Sequence, residues 1–353
     1  MRKLKISHLK KVSLFYILLC SLFGFGQDKK EYQIRTIAFY NLENLFDTTN
    51  DSLVFDDDRT PTGKDNWTED RYWKKIENLS RVLSDIGSDN NPSGPDLLGV
   101  CEAENRTVLE DLINHPLLKK RQYGIVHFDS PDERGIDVGL LFAKSSFIPI
   151  SFVSRRLLLT NEEGFRDYTR DQLVVEGLLD NEKIYVIVNH WPSRSGGELR
   201  SRPYRLKAAE LNWRIIDSLR YLDPSAKIIS MGDFNDDPIS PSFKKILKVR
   251  GKEKQLDSLG LFGPMENLFK KGIGSLAYRD QWNLFDQIYL TANLVNNPKG
   301  YRFWKADVFN PPYLIDPKGM YKGYPLRTYA GGSYIGGYSD HFPVFVHLIR
   351  EVK

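Results

Sequence analysis

Gly232-Asp233-Phe234-Asn235 follows Lys227-Ile228-Ile229-Ser230-Met231, a short apolar run that reads as a buried strand. A carboxylate and an amide one residue apart, just past a strand end, point the same way. Together they could serve one bound phosphate or one hard metal ion. Taken alone the tetrapeptide is equally a turn, because Gly, Asp and Asn are turn residues. It does not stand alone. Asn41-Leu42-Glu43 follows the stretch from Ile34 to Tyr40, and Glu102 follows Leu97 to Cys101. His190-Trp191-Pro192-Ser193-Arg194 follows Ile184 to Asn189. Ser339-Asp340-His341 precedes Phe342-Pro343-Val344-Phe345-Val346, and Asp286 heads Asp286-Gln287-Ile288-Tyr289-Leu290. In α/β proteins ligands bind where strands end and loops begin. Acid, amide and imidazole groups repeated at such ends predict one converging site.

This set resembles the endonuclease/exonuclease/phosphatase superfamily. That superfamily includes pancreatic-type deoxyribonucleases, apurinic endonucleases, inositol polyphosphate phosphatases and neutral sphingomyelinases. The matching positions are Asn41 and Glu43, Glu102, His190, Asp233 with Asn235, Asp286, and Asp340 with His341. They stand in the family's order and span most of the chain; GDFN and SDHFPV are the specific motifs. The stretch from His190 to Gly197 is similar to the corresponding segment of bacterial extracellular nucleases. The resemblance implies an α/β fold: a four-layer α/β/β/α sandwich with two packed mixed β-sheets.

Phosphodiester hydrolysis needs an activated water, stabilised charge on phosphorus and a protonated leaving oxygen. Glu102 is the best metal ligand, since a strand-end carboxylate suits Mg²⁺ (or Mn²⁺), which takes few protein ligands and keeps its waters. Asn41 and Glu43 are expected to complete or orient that shell, and Asp340 to ligate the metal or support a ligand. His341 is the candidate base or transition-state stabiliser, with Asp286 fixing its tautomer. Asp233 competes with it for the role of activating the water. His190 is the candidate general acid and needs a partner that raises its pKa. Asp137 stands where some family members carry such a carboxylate, although a loop ion pair with Arg134 would also explain it. Asn235 is expected to bond a phosphate oxygen, and Arg194 to contact the substrate.

The leading expectation is a secreted, divalent-metal-dependent endonuclease acting on DNA as a monomer. The alternative is a phosphodiesterase or phosphatase acting on phospholipid head groups or inositol phosphates, with the same core and different rim loops. A catalytically dead binding protein would lack a metal carboxylate or a catalytic His, and none of these is missing.

The first residues carry Arg2, Lys3, Lys5, Lys10 and Lys11, then an apolar stretch from Val12 to Phe25. This reads as a secretory signal peptide over residues 1–26, too short to span a membrane comfortably, cleaved near Gly26-Gln27. A lipid anchor on Cys20 fits less well because bulky Leu19 precedes it. The formal charge of +4 depends on that segment: without its five basic residues, 45 remain against 46 acidic ones, a net of −1. No global positive field then draws in nucleic acid, so phosphate steering must be local. Cys101 would be the only cysteine left, which rules out an internal disulfide. Residues 27–353 are long enough for one large domain with a substantial core.

The elements that must place these residues also show in the sequence. Asp47 to Asn66 is polar and turn-rich and reads as an exposed loop. Tyr72, Ile76, Leu79, Leu83 and Ile86 recur at helical spacing, with Thr68 as the N-cap and Gly87 as the stop. A second helix is expected near Arg106 to Asn114, with Glu104 or Asn105 as its cap. Strands are expected around Ile125–Phe128, Val138–Phe142, Ile148–Val153 and Leu173–Leu179, and a long helix from Tyr204 to Leu219. Asn293 to Gly337, rich in Gly, Pro and Tyr, reads either as a cover over the site or as a plain surface excursion.

Overall fold

The computed structural model describes residues 30–352, and the expected signal peptide lies outside the described residues. The compact unit Ile34–Arg350 carries the site and all but the outermost residues of two strands. Among the described residues, no helix is long and apolar enough to cross a membrane.

Two six-stranded mixed sheets form the centre of the unit. In the first, the spatial order of strands is Arg302–Val308, Val344–Val352, Glu31–Leu45, Leu97–Ala103, Asp137–Ala143 and Tyr123–His127. In the second it is Leu261–Phe262, Asp286–Thr291, Ile228–Asp233, Glu182–His190, Gln172–Leu179 and Phe147–Arg155. Alternation along the second sheet shows that it is covered on both faces. Val186 and Val188 join the core shared with the first sheet, whereas Tyr185 and Ile187 join the core under the Glu198–Leu222 helix. The Glu69–Asp85 and Arg106–Asn114 helices add Tyr72, Ile76, Leu79, Val108 and Leu109 to the first core. The layers are therefore helix, sheet, sheet, helix.

Asn105 caps its helix by accepting a hydrogen bond from the Val108 N–H at 3.0 Å, whereas Thr68 makes no side-chain cap bond. Gly87, in the left-handed region at φ +69°, follows the Glu69–Asp85 helix at its end. The long helix starts at Glu198, earlier than expected, and carries Pro203 inside it. Asn293 to Gly337 divides. Its first part supplies the edge strand Arg302–Val308, and its second reaches the first helix, where Asn78 donates to the carbonyls of Gly336 and Gly337. On their outer sides, Tyr123–His127 and Phe147–Arg155 end their sheets unpaired among the described residues. The latter leaves Ile148, Ile150 and Phe152 exposed.

Candidate active site

The expected residues meet at one end of the two sheets. Asp233 is the last residue of its strand, His190 ends the neighbouring parallel strand as its register partner, and Asp286 pairs with Asp233 from the antiparallel side. Gly232 permits this crowding, since a Cβ there would lie 2.4 Å from the Asn189 carbonyl oxygen. Asn41 spans the gap between sheets and donates from Nδ2 to Asp233 Oδ2 at 3.1 Å. Asp233 Oδ1 accepts the Asn235 N–H, and the Asn235 amide donates to the Trp191 carbonyl. Phe234 anchors the loop from below, edge-on to Trp191 at 4.7 Å and to Phe243 at 5.3 Å.

Neither acidic residue of the first sheet lies beyond a strand, as its sequence context suggested. Glu43 falls inside Glu31–Leu45 and Glu102 inside Leu97–Ala103, each at a register shift. Both have left-handed backbone, φ 51° and 61°, and Asn235 is alike at φ 50°. Non-glycine residues pay roughly 1–3 kcal/mol each for such conformations. The bulge turns the Glu102 side chain so that Oε2 accepts the Asn44 N–H at 2.9 Å and Oε1 stands 3.8 Å from His190 Nε2.

His341 Nδ1 and Asp286 Oδ2 are 2.6 Å apart, and both residues are buried. Burial opposes charge on the His341 ring, but Asp286, with Asp340 and Asp233 behind it, outweighs burial and holds the imidazole pKa well above its usual value. Asp340 Oδ1 and Asp233 Oδ2 each lie 3.9 Å from His341 Nε2. The loop is pinned by Ser339, whose hydroxyl donates to the Asn41 carbonyl at 2.7 Å and accepts the His341 N–H. Asp233 is pushed up to about 7, chiefly by burial and by Asp286, with His341 pulling the other way.

His190 differs from expectation. Asp137 is not its partner: that carboxylate bonds His127 Nε2 at 3.0 Å and the Ser130 N–H, on the edge of the first sheet. Nor does Asp137 pair with Arg134, which faces Asp132. Burial, then the positive charges of Arg170, Arg134 and His341, push the His190 pKa well below its usual value, so the ring is neutral. Arg194 is engaged within the protein. It donates to the Asn235 carbonyl, pairs with Asp236, Asp237 and Glu198, and lies 4.3 Å over the Phe285 ring. Glu43 accepts from the Thr328 N–H at 2.7 Å and from buried Lys75 at 3.2 Å, beside a cavity of about 70 Å³ lined by Asn44, Arg59, Trp67 and Tyr329.

Lys75 escaped the reading of the sequence. Lys75 sits one turn after Tyr72 on the buried stripe of its helix, and a cation on an apolar stripe was the available signal. Arg205, fully buried, pairs with Asp236 at 2.7 Å and also with Glu198 in the helix's first turn, locking the loop after Asn235.

Glu102, Asp233 and Asp340 each bring a carboxylate oxygen within 4 Å of a site histidine, and such oxygens are the hard donors that a divalent metal takes. A cation would also relieve the carboxylate crowding that raises Asp233.

A model of the Endonuclease/Exonuclease/phosphatase family matches residues 36–350. No curated protein matches the chain. Among solved structures, an endonuclease/exonuclease/phosphatase family protein from Bacteroides thetaiotaomicron is similar at 15% identity and TM-score 0.54, covering 92% of this chain and 100% of that one. D. rerio TDP2 complexed with single strand DNA product matches at 14% identity and TM-score 0.52, over 90% and 99% of the two chains. A mannosyl-6-phosphatase from Bacteroides thetaiotaomicron VPI-5482 matches at 15% identity and TM-score 0.52, over 89% and 99%. These likenesses establish the fold. The family match establishes membership: the chain belongs to the endonuclease/exonuclease/phosphatase family and is a phosphoesterase of that superfamily.

Proposed function

We propose that this member of the endonuclease/exonuclease/phosphatase family is an exported, divalent-metal-dependent phosphodiesterase that cleaves nucleic acid, DNA above all. The observation that carries the hydrolytic reading is the 2.6 Å His341–Asp286 pair standing beside Asp233, with neutral His190 3.7 Å from the same Asp233 oxygen.

Glu102 and Asp340 would hold the metal, Asn41 orients Asp233, and Glu43 is braced by Lys75 and Thr328. When bound, the metal supplies Lewis-acid charge to the phosphoryl oxygens. Asp233, with its pKa near neutrality, takes the proton of the attacking water. The His341 imidazolium donates from Nε2 to a phosphoryl oxygen as negative charge builds there. Asn235 keeps one amide N–H for the same phosphate, since the other is spent on Trp191. His190 acts as a neutral hydrogen-bond donor to the leaving oxygen rather than as a full acid.

Support for nucleic acid comes from the rim. Trp282, partly exposed, lies nearly parallel to Phe342, the residue after His341, at 13° and 6.1 Å. Its hairpin is rooted at Ser275, whose carbonyl accepts the Phe342 N–H and whose hydroxyl accepts the Asp286 N–H. An exposed indole beside the catalytic histidine offers a face on which a base can stack.

The deciding experiment assays the purified protein on plasmid DNA, RNA, sphingomyelin, inositol phosphates and a hexose 6-phosphate, with Mg²⁺ or Mn²⁺ and with chelator. DNA should be cut fastest, and chelator should abolish the reaction. Full activity in excess chelator would overturn the mechanism, and preference for a lipid, inositol or sugar phosphate would overturn the substrate. Export is checked by mass spectrometry of the native protein, expected to begin near Gln27; a lipidated Cys20 would contradict it.

A further inference from the structure

Cys101 plays no part in the mechanism above, yet it faces the site. It is the register partner of Asn41 on the parallel Glu31–Leu45 strand, and such partners project to the same face of a sheet. Asn41 reaches Asp233 across the gap between sheets, so Cys101 faces that carboxylate too. Its Sγ, a ring nitrogen of His190 and a carboxylate oxygen of Asp233 all lie within 4.8 Å of one another, and all three residues are buried.

The second observation is His190 itself. Nδ1 is buried with no hydrogen-bond partner among the described residues. Nε2 lies 3.7 Å from Asp233 and 3.8 Å from Glu102, beyond hydrogen-bond reach. A buried imidazole nitrogen without a bond, as Nδ1 is here, costs stability unless something else claims it. Thiol, imidazole and carboxylate together make a mixed S/N/O donor set, the combination that zinc accepts and magnesium does not.

We propose that Cys101, His190 and Asp233 form a zinc-binding site at the base of the active centre, through which zinc blocks the magnesium-supported reaction. Zinc bonds of about 2.3 Å to sulfur and about 2.0–2.1 Å to nitrogen or oxygen place tetrahedral ligands roughly 3.5 Å apart. From separations of up to 4.8 Å the triad must therefore close by at most about 1.3 Å. The thiol proton leaves to solvent as the zinc–sulfur bond forms, so the sulfur ligates as thiolate. Inhibition follows because the ion occupies Asp233, the base, and His190, the partner of the leaving oxygen. That consequence rests on the phosphoesterase reading; the binding does not.

Cobalt(II) chloride is the probe, because thiolate ligation to cobalt gives an intense near-ultraviolet charge-transfer band that oxygen and nitrogen ligands do not. Titrating the full chain without substrate should develop that band to saturation at one equivalent, and added zinc should erase it. Cys101→Ser should lose the band. It should also weaken zinc by more than the roughly 10–100-fold that loss of an outer-sphere partner costs, with the same shift in the zinc concentration that half-inhibits hydrolysis. X-ray absorption of the zinc-loaded wild-type protein, which needs no variant, should show one sulfur neighbour at about 2.3 Å. No band in wild type, a band that survives Cys101→Ser, or a zinc shell without sulfur would each overturn the proposal. A protein that shows the band but hydrolyses no phosphate ester would keep the site and lose the enzymatic reading.

Discussion

Two buried polar clusters are built on the same three strands, Glu182–His190, Ile228–Asp233 and Asp286–Thr291. One lies under the long helix. There Asn212 donates to Asn189 at 2.7 Å and to Gln172 at 3.1 Å, and Asn189 donates to the Ser230 hydroxyl at 3.0 Å. Tyr289 closes the set by donating its hydroxyl to the side-chain Oδ1 of Asn212. Every member is neutral and paired. The other cluster is the site at the strand ends. It gathers Asp233, Asp286 and Asp340 around His341 and Glu102 beside His190, holds Glu102 and Asn235 in left-handed backbone, and leaves His190 Nδ1 and Asp286 Oδ1 without hydrogen-bond partners among the described residues. The same strands therefore run from a satisfied network into an unsatisfied one within a few residues. Neutral amides can be fully paired and so rigidify a core. Groups that must exchange protons or accept a ligand are left with capacity to spare, at a cost in stability.

The contrast can be broken most severely at the strand ends. His341→Ala should lower kcat by several orders of magnitude, Asp286→Asn should cost a large part of that, and the double variant little more than His341→Ala alone. Additive losses in steady-state kinetics would show that the two do not act as a unit.

Asp233→Asn tests the cost of the unsatisfied cluster. Because burial raises the Asp233 pKa from an unfolded value of 3.8 to about 7, its contribution to stability is full below pH 3.8 and lost as pH rises through 7. With Mg²⁺ present the variant should lose activity, and yet in chelator at pH 8 it should unfold later in urea than wild type, by on the order of 2–4 kcal/mol. An equally large loss of stability would remove the distinction between the clusters.

Asn212→Ala should do the reverse. Leaving Asn189, Gln172 and Tyr289 short of partners should cost roughly 2–4 kcal/mol in denaturant titrations, while kcat per folded molecule stays within about tenfold of wild type. A collapse of kcat at unchanged stability would move this network into the chemistry.

His347, outside both clusters, gives the smallest effect. Burial lowers its pKa to about 4, and its Nδ1 is 3.1 Å from the Thr36 hydroxyl. A depressed histidine supports stability above pH 6.5 and withdraws that support as pH falls toward 4. The wild type should therefore lose on the order of 1 kcal/mol more than His347→Gln between pH 7.5 and 5.5. Identical pH profiles would contradict a neutral, buried ring.

Much of this was legible where one rule acted alone. The Glu69–Asp85 helix follows its apolar stripe, and the Asn105 cap follows from a short side chain placed just ahead of a helical repeat. The site residues were found because acids, amides and imidazoles recur at the ends of apolar runs, and the family motifs fixed their order. Local rules failed where tertiary contacts overrode them. The long helix was expected to begin at Tyr204, but the Arg205 pairs with Glu198 and Asp236 hold an earlier turn in place. Asp137 met His127 instead of His190 because strand register, which spacing does not reveal, sets His127 opposite Gly139, two residues from Asp137 on the same face. The bulges at Glu43 and Glu102 left no mark in the apolar pattern, since a bulge changes direction without changing residue type.

The Phe147–Arg155 strand ends its sheet with Ile148, Ile150 and Phe152 exposed. A row of backbone donors and acceptors that is unpaired among the described residues, beside exposed apolar side chains, is a template for a second copy of itself. The colloidal behaviour of the purified protein is thus set at this rim, far in character from the chemistry. Light scattering should rise with concentration at temperatures well below unfolding. A single lysine at Ile150, introduced purely as a gatekeeper, would extend shelf life without touching the catalytic end of the sheets.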